Sequence, residues 1–344
     1  MPDQVAVLGG GALGMLLSAR LALSGQDVTL WTRTEEQARR IDEQGVALEV
    51  PESVELERSV EQESSVASLE SVEFERPVES AGGTGRRFAR LRAAPFADAR
   101  QGEASCVLVA VKQTALNEAL LGRMSHVAAQ GAVFVLFQNG IGHFERMQAA
   151  LPGRRLLSAV TTEGALRTGL ASVRHTGRGE TWIGSEAAHL NDPQLEAAMR
   201  AAKLMMEKAG FSAFLSNEIR QRILRKLLIN AVINPLTAIW RISNGELPNS
   251  PDRLIAMQAL FRETSHLLRL HGGLQGMSDA KLWEALLEVC AATSANRSSM
   301  LQDVLAGRQT EIDAVNGQIC RMAAEAGEPS PWNEIVTTLV KAIQ

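Results

Sequence analysis

Cysteine is scarce: Cys106, Cys290 and Cys320 are the only three in 344 residues, and each stands alone among apolar neighbours. An odd, scattered set excludes a disulfide framework and suits reduced, buried thiols in a cytoplasmic protein. The six histidines fall in no ligand spacing, so no metal is expected. Runs of basic residues are missing and the formal net charge is −4, which argues against a nucleic-acid partner. No apolar run approaches a membrane span, and the N-terminus lacks a basic-then-apolar leader, so neither a membrane nor an export signal is expected. What remains is ordinary for a globular chain, 45% hydrophobic and 22% charged, and long enough for two domains with cores of their own.

The most informative stretch runs from Arg225 to Leu236. It reads as an apolar helix that carries Lys226, Asn230 and Asn234 at spacing i, i+4, i+8. At 3.6 residues per turn the three drift by only about 80°, so they share one face. Polar groups on a buried helix are costly unless something hydrogen-bonds them, and a polar ligand along that face is the economical partner.

Near the N-terminus an apolar run at 5–9 breaks into Gly9-x-Gly11-x-x-Gly14, with a helix at 15–23 and a second strand at 27–31. Strand, glycine turn, helix and strand within about thirty residues make the unit of a dinucleotide-binding fold. Gly9 would make the tight turn, Gly11 would admit a pyrophosphate and Gly14 would let helix pack on strand. Ala12 and Leu13, between them, would complete the phosphate-facing turn. The second strand ends in Trp31-Thr32-Arg33 rather than in an acid. A guanidinium pairs well with a 2′-phosphate, so NADPH/NADP+ is the expected cofactor. The alternative, Glu35 or Glu36 serving the ribose, puts the acid beyond the strand end. Apolar strands at 106–111 and 132–137 end in Lys112 and in Gln138-Asn139-Gly140. In open parallel sheets ligands lie outside the carboxyl ends of strands, which makes Lys112 and Asn139 cofactor-contact candidates. Lys112 could equally be a solvated strand end, and Asn139 a turn residue before Gly140.

Short strands at 156–162, 172–175 and 181–183 are expected to close the sheet, with a helix from Pro193 and a last strand at 211–215. Beyond Asn217 the pattern is almost wholly helical. This divides the chain into a Rossmann-type α/β domain at 1–217 and an all-helical domain at 218–344. One segment stands apart. Residues 51–80 hold nine Glu against two Arg, more acidity than the whole chain nets, and Glu52-Ser-Val-Glu-Leu-Glu-Arg-Ser-Val-Glu61 recurs nearly unchanged from Glu70 to Glu79. It reads as a duplicated insertion between two hairpin strands, without chemistry of its own.

The glycine motif and the arginine after the second strand are followed, in order, by four further motifs. These are Lys226-x-x-x-Asn230-x-x-x-Asn234-Pro235-Leu236-Thr237, Asn244-Gly245-Glu246-Leu247, Asn296-x-x-Ser299-Met300-Leu301-Gln302-Asp303 and Thr310-Glu311-Ile312-Asp313. Together they closely resemble the ketopantoate reductases (2-dehydropantoate 2-reductases), over the whole chain except residues 51–80. The resemblance implies NADPH-dependent reduction of 2-dehydropantoate to (R)-pantoate, a step of pantothenate synthesis. It implies Lys226 as the catalytic lysine and Glu311 as the glutamate of the catalytic site. Asn230, Asn234, Asn244 and Ser299 match substrate-binding positions, and Asn296 an asparagine near the site. Arg33, Lys112 and Asn139 match cofactor contacts. Taken alone, Thr310-x-x-Asp313 is close to a capping box, which would make Glu311 a first-turn helix residue. Ser298 or Ser299 would likewise cap a helix. A reductase of another 2-oxo acid and a non-catalytic NADPH-binding regulator are the rival readings, and a homodimer is left open.

Overall fold

The computed structural model describes residues 4–51, 84–99, 102–186 and 192–344. By contacts the chain forms two compact units: one runs to Ile219, and the other comprises Arg220–Gln344 together with Asn139–Gly142. Apart from Pro51, the acidic segment lies outside the described residues.

The first unit is built on β1 (Val5–Leu8), α1 (Ala12–Leu23), β2 (Val28–Thr32), α2 (Glu35–Gln44), β3 (Val46–Pro51), β4 (Thr84–Ala89), β5 (Arg92–Pro95) and β6 (Ala104–Val109). It continues with α3 (Glu118–Met124), β7 (Ala128–Leu136), α4 (His143–Ala150), β8 (Arg155–Thr161), β9 (Gly164–Arg167), β10 (Ser172–Gly177), β11 (Glu180–Gly184), α5 (Pro193–Lys208) and β12 (Ser212–Leu215). Its main sheet has eight strands in the order β12-β11-β8-β7-β6-β1-β2-β5. All neighbours are parallel except β8 and β11. All four residues of β1 are buried, as expected of a central parallel strand covered on both faces. The order turns back between β1 and β6, which is where α/β sheets of this kind open a crevice for ligands.

A second sheet, β4-β3-β10-β9, was not foreseen from the sequence, which placed the strand at 172–175 in the main sheet. β10 instead pairs parallel with β3, with Val173 opposite Leu48. α1 packs against strands of this sheet as well as against β1 and β2. That explains why Met15, Leu16, Leu17, Ala19 and Leu21 are all buried in a helix with no polar face. A buried polar chain fastens the layers: Arg20 Nη2 lies 2.7 Å from His175 Nδ1, and His175 Nε2 lies 2.5 Å from Glu163 Oε2. Since arginine only donates, Nδ1 accepts and the imidazole proton sits on Nε2, facing the carboxylate.

The second unit is helical: α6 (Ile219–Trp240), α7 (Pro251–Leu270), α8 (Asp279–Ala292), α9 (Ser299–Leu305), α10 (Asn316–Ala326) and α11 (Pro331–Ala342), with short 3₁₀ turns at Asn244–Asn249 and Ile312–Ala314. Leu227, Leu228, Ala231, Val232 and Leu236 of α6 form the centre of its core with Phe261, Leu286, Ile319 and Val336. α6 corrects one sequence expectation. Its 22 residues, with a window of mean hydropathy 1.2, are long and apolar enough to cross a membrane. However, 61% of that window is buried inside the protein, as for the core helix of a globular unit.

Candidate functional site

The glycine turn lies at the carboxyl end of β1. Gly9 has φ +118°, and a Cβ there would come within 3.0 Å of the Ala110 carbonyl just beyond β6. A Cβ on Gly14 would sit 1.8 Å from the Gly9 carbonyl oxygen, so that residue must be glycine for α1 to pack on the turn. Gly11 differs: a Cβ there would meet nothing within 4 Å, and it faces open space at the start of α1. Ala12, Leu13 and Gly14 follow in the first helical turn, where amide N–H groups have no intrahelical acceptor. Space in front of Gly11, bounded by the N–H end of a helix, fits a pyrophosphate.

Arg33 follows β2 directly and is exposed. Thr34 caps α2, and Glu35 and Glu36 fall in that helix's first turn, past the strand end. Two residues that pattern reading missed brace this region. Gln37 is buried, and its Nε2 donates to the carbonyls of Gly10 (2.8 Å) and Leu170 (3.0 Å). Lys112 follows β6, and its neighbour Gln113 places Nε2 3.0 Å from His143 Nδ1. Burial, with help from Arg146, lowers the His143 pKa from 6.5 to about 4, so the ring is neutral and Nδ1 accepts. Asn139 follows β7, after Gln138, whose amide Nε2 and Oε1 are both buried without a hydrogen-bond partner among the described residues.

In the helical unit, Lys226, Asn230 and Asn234 are partly exposed, whereas Leu227, Leu228, Ala231, Val232, Ile233, Pro235 and Leu236 around them are buried. Neither asparagine side chain is hydrogen-bonded to another described residue. Protein atoms crowd the Lys226 ammonium, and burial lowers its pKa more than the Glu311 carboxylate raises it, for a net fall from 10.5 to about 8. The structure therefore brings Lys226 and Glu311 within each other's field. Glu311 opens no capped α-helix, contrary to the capping-box alternative. It precedes the 3₁₀ turn Ile312–Ala314, and its side chain makes no cap hydrogen bond.

Asn244 is buried and its Nδ2 donates to Thr293 Oγ1 at 2.9 Å. Thr293 in turn donates to the Val289 carbonyl, which fixes the Asn244 rotamer. That leaves Asn244 Oδ1 as an acceptor without a partner among the described residues. The Asn244 N–H donates to the Asn296 carbonyl at 3.0 Å, so these two candidates adjoin. Ser298 is the cap of α9, accepting from Leu301 N at 3.1 Å, and Ser299 is the exposed first helical residue. Ser298 Oγ also lies 2.7 Å from Thr237 Oγ1, which donates to the Ile233 carbonyl at 2.8 Å. This bond joins the start of α9 to α6 one turn beyond Asn234.

A largely parallel sheet with a glycine turn at its switch point fits the dinucleotide-binding class of α/β proteins, and the helical unit that follows it in the chain bears a desolvated lysine. Comparison with known proteins makes this specific. Residues 5–187 match the family described as Ketopantoate reductase PanE/ApbA, and residues 218–344 match its C-terminal domain. The 2-dehydropantoate 2-reductase of Bacillus subtilis is 28% identical over 99% of this chain and 97% of its own. That of Shigella flexneri is 32% identical over 68% of this chain and 73% of its own. The crystal structure of probable 2-dehydropantoate 2-reductase from B. subtilis superposes with a TM-score of 0.75 at 26% identity, covering 99% of this chain and 100% of that one. D-mandelate dehydrogenase with NADH and anilino(oxo)acetate shares the fold, with a TM-score of 0.80 at 20% identity over 99% and 98% of the two chains. The chain belongs to the ketopantoate reductase family, an oxidoreductase family whose fold pairs a Rossmann-like α/β domain with an all-helical one.

Proposed function

We propose that the protein reduces 2-dehydropantoate to (R)-pantoate with NADPH, serving pantothenate synthesis. The observation that carries this reading is the coupling of Lys226, on the polar face of α6, to Glu311. Full-length similarity to several 2-dehydropantoate 2-reductases supports the choice of substrate. The residues of the glycine turn fit a dinucleotide, with Ala12 and Leu13 beside Gly11, and Arg33, Lys112 and Asn139 as further contacts.

When bound, the reduced nicotinamide supplies hydride to C2 of the oxo acid. Negative charge then develops on the carbonyl oxygen, which needs a donor that can also protonate it. Lys226 meets both needs: it is cationic below a pKa of about 8, and desolvation has made it a stronger acid than an ordinary lysine. Glu311 keeps it from losing its proton too early. Asn230 and Asn234 offer neutral amides to the carboxylate or carbonyl of the substrate. Asn244 Oδ1 offers an acceptor to its hydroxyl, and Asn296 and Ser299 are further substrate contacts in this reading.

The test is NADPH oxidation with 2-dehydropantoate against a panel of 2-oxo acids that includes aryl ones. A kcat/KM highest for 2-dehydropantoate is expected. An aryl 2-oxo acid turned over faster would replace the substrate assignment and leave the family intact.

A further inference from the structure

Pro235 lies inside α6 and has no N–H, so the Ala231 carbonyl four residues earlier receives no helical donor. A side chain from another helix takes that place. Asn316, the first residue of α10, points its Nδ2 at the Ala231 oxygen at 2.9 Å. The orientation of that amide is determined by a relay of donors. The Glu263 carboxylate accepts from Asn333 Nδ2 (2.8 Å), from the Asn333 N–H (2.8 Å) and from the Trp332 N–H (2.9 Å). Asn333 Oδ1 is thereby turned toward Asn316, which donates to it at 3.0 Å. Both asparagines are fully buried, and Asn316 Oδ1 has no partner among the described residues, so this amide is held for donation.

Ala231 sits between Asn230 and the proline, and Asn316 follows Glu311 by five residues through one 3₁₀ turn, with the Ala314 and Val315 N–H groups donating to the Glu311 carbonyl. One hydrogen bond thus ties α6, at the residue next to Asn230, to the segment that carries Glu311. We propose that Asn316 is a positioning residue for the reduction. It supplies the hydrogen bond that Pro235 removes, and so fixes Asn230 and Asn234 against Lys226 and Glu311. The inference rests on the proposed reading of the α6 face as the substrate surface.

The experiment is a double-mutant cycle of N316A and P235A in the full chain. Alanine at 235 returns an N–H to the Ala231 carbonyl, so it should make Asn316 dispensable. In the Pro235 background, N316A is expected to speed amide exchange in the α6 peptide about tenfold and to raise KM for 2-dehydropantoate about tenfold, the worth of one hydrogen bond. NADPH affinity, read by protein fluorescence, should stay within about twofold. In the P235A background both effects of N316A should shrink to about twofold. Equal effects in both backgrounds, or a lower kcat and melting temperature with KM unmoved, would overturn the proposal in favour of plain structural support. A wild type that reduces no 2-oxo acid would refute the functional reading and the catalytic consequence with it. The exchange cycle would still decide whether the tether exists.

Discussion

At Lys226 two opposed effects set an acid strength. Burial lowers its pKa and Glu311 partly offsets that fall, leaving it at about 8. A general acid must hold its proton, so the rate of reduction should fall as pH rises through about 8, well below an ordinary lysine. Replacing Glu311 by Gln removes the raising influence, and the alkaline limb should move to lower pH. The kcat/KM–pH profiles of wild type and E311Q check this; a limb that stays in place would detach Glu311 from Lys226. Lys226→Ala should cost about 10²–10⁴-fold in kcat, the usual contribution of a positioned acid. Arg33 gives a second residue-scale expectation. Its charge-assisted bond to a 2′-phosphate should favour NADPH over NADH by about 10- to 150-fold, toward the lower end because Arg33 is exposed. R33A should lose that margin with NADPH and change little with NADH, and a wild type indifferent to the two cofactors would exclude the assignment. Part of the candidate site was legible in the sequence because helical periodicity alone aligns Lys226, Asn230 and Asn234. Asn316 was not, since its role depends on a carbonyl 85 residues away, and the Gln113–His143 pair is likewise joined across 30 residues.

At the scale of elements, the buried strands were the readable ones. β1, β2, β6, β7, β8, β11 and β12 all fall within a few residues of their apolar runs in the sequence. β5 went unseen because it is an edge strand whose four residues are exposed or half-buried, so neither alternation nor an apolar run betrays it. β9 left no signal for the same reason, with three half-buried residues and one exposed. The placement of β10 in a second sheet was hidden differently: pairing with β3 is a tertiary choice that its own residues do not encode. The pairing of β3 with β4 makes a concrete expectation possible. Pro51 and Thr84 stand opposite each other in an antiparallel register, so the chain ends on either side of residues 52–83 are adjacent. A two-residue Asn-Gly turn should therefore join the strands directly and leave kcat/KM within about twofold of wild type. Loss of activity in a well-folded variant of this kind would assign the acidic segment a role in catalysis.

For the molecule as a whole, the pairing of an α/β fold with an all-helical one was readable because a helical period replaces alternating strands and helices along the chain. The assignment of Asn139–Gly142 to the helical unit was not readable, since contacts rather than chain order decide it. Each unit has cores of its own, and in the first unit one titrating group sets a whole-molecule property. Burial holds His143 near a pKa of about 4, against 6.5 for an ordinary histidine. Between those values the unfolded chain binds a proton that the native unit refuses. Native stability must therefore fall as pH drops from about 6.5 to about 4, by up to roughly 3 kcal/mol. Above 6.5 both states are neutral at this residue and the effect vanishes. His143→Asn keeps an acceptor for Gln113 but cannot be protonated, so it should remove this part of the acid sensitivity. Urea unfolding of wild type and H143N at pH 7, 6, 5 and 4.5 measures the difference, in which the carboxylates common to both proteins cancel. Parallel stability curves for the two would show that the Gln113–His143 pair does not govern the acid limit of the first unit.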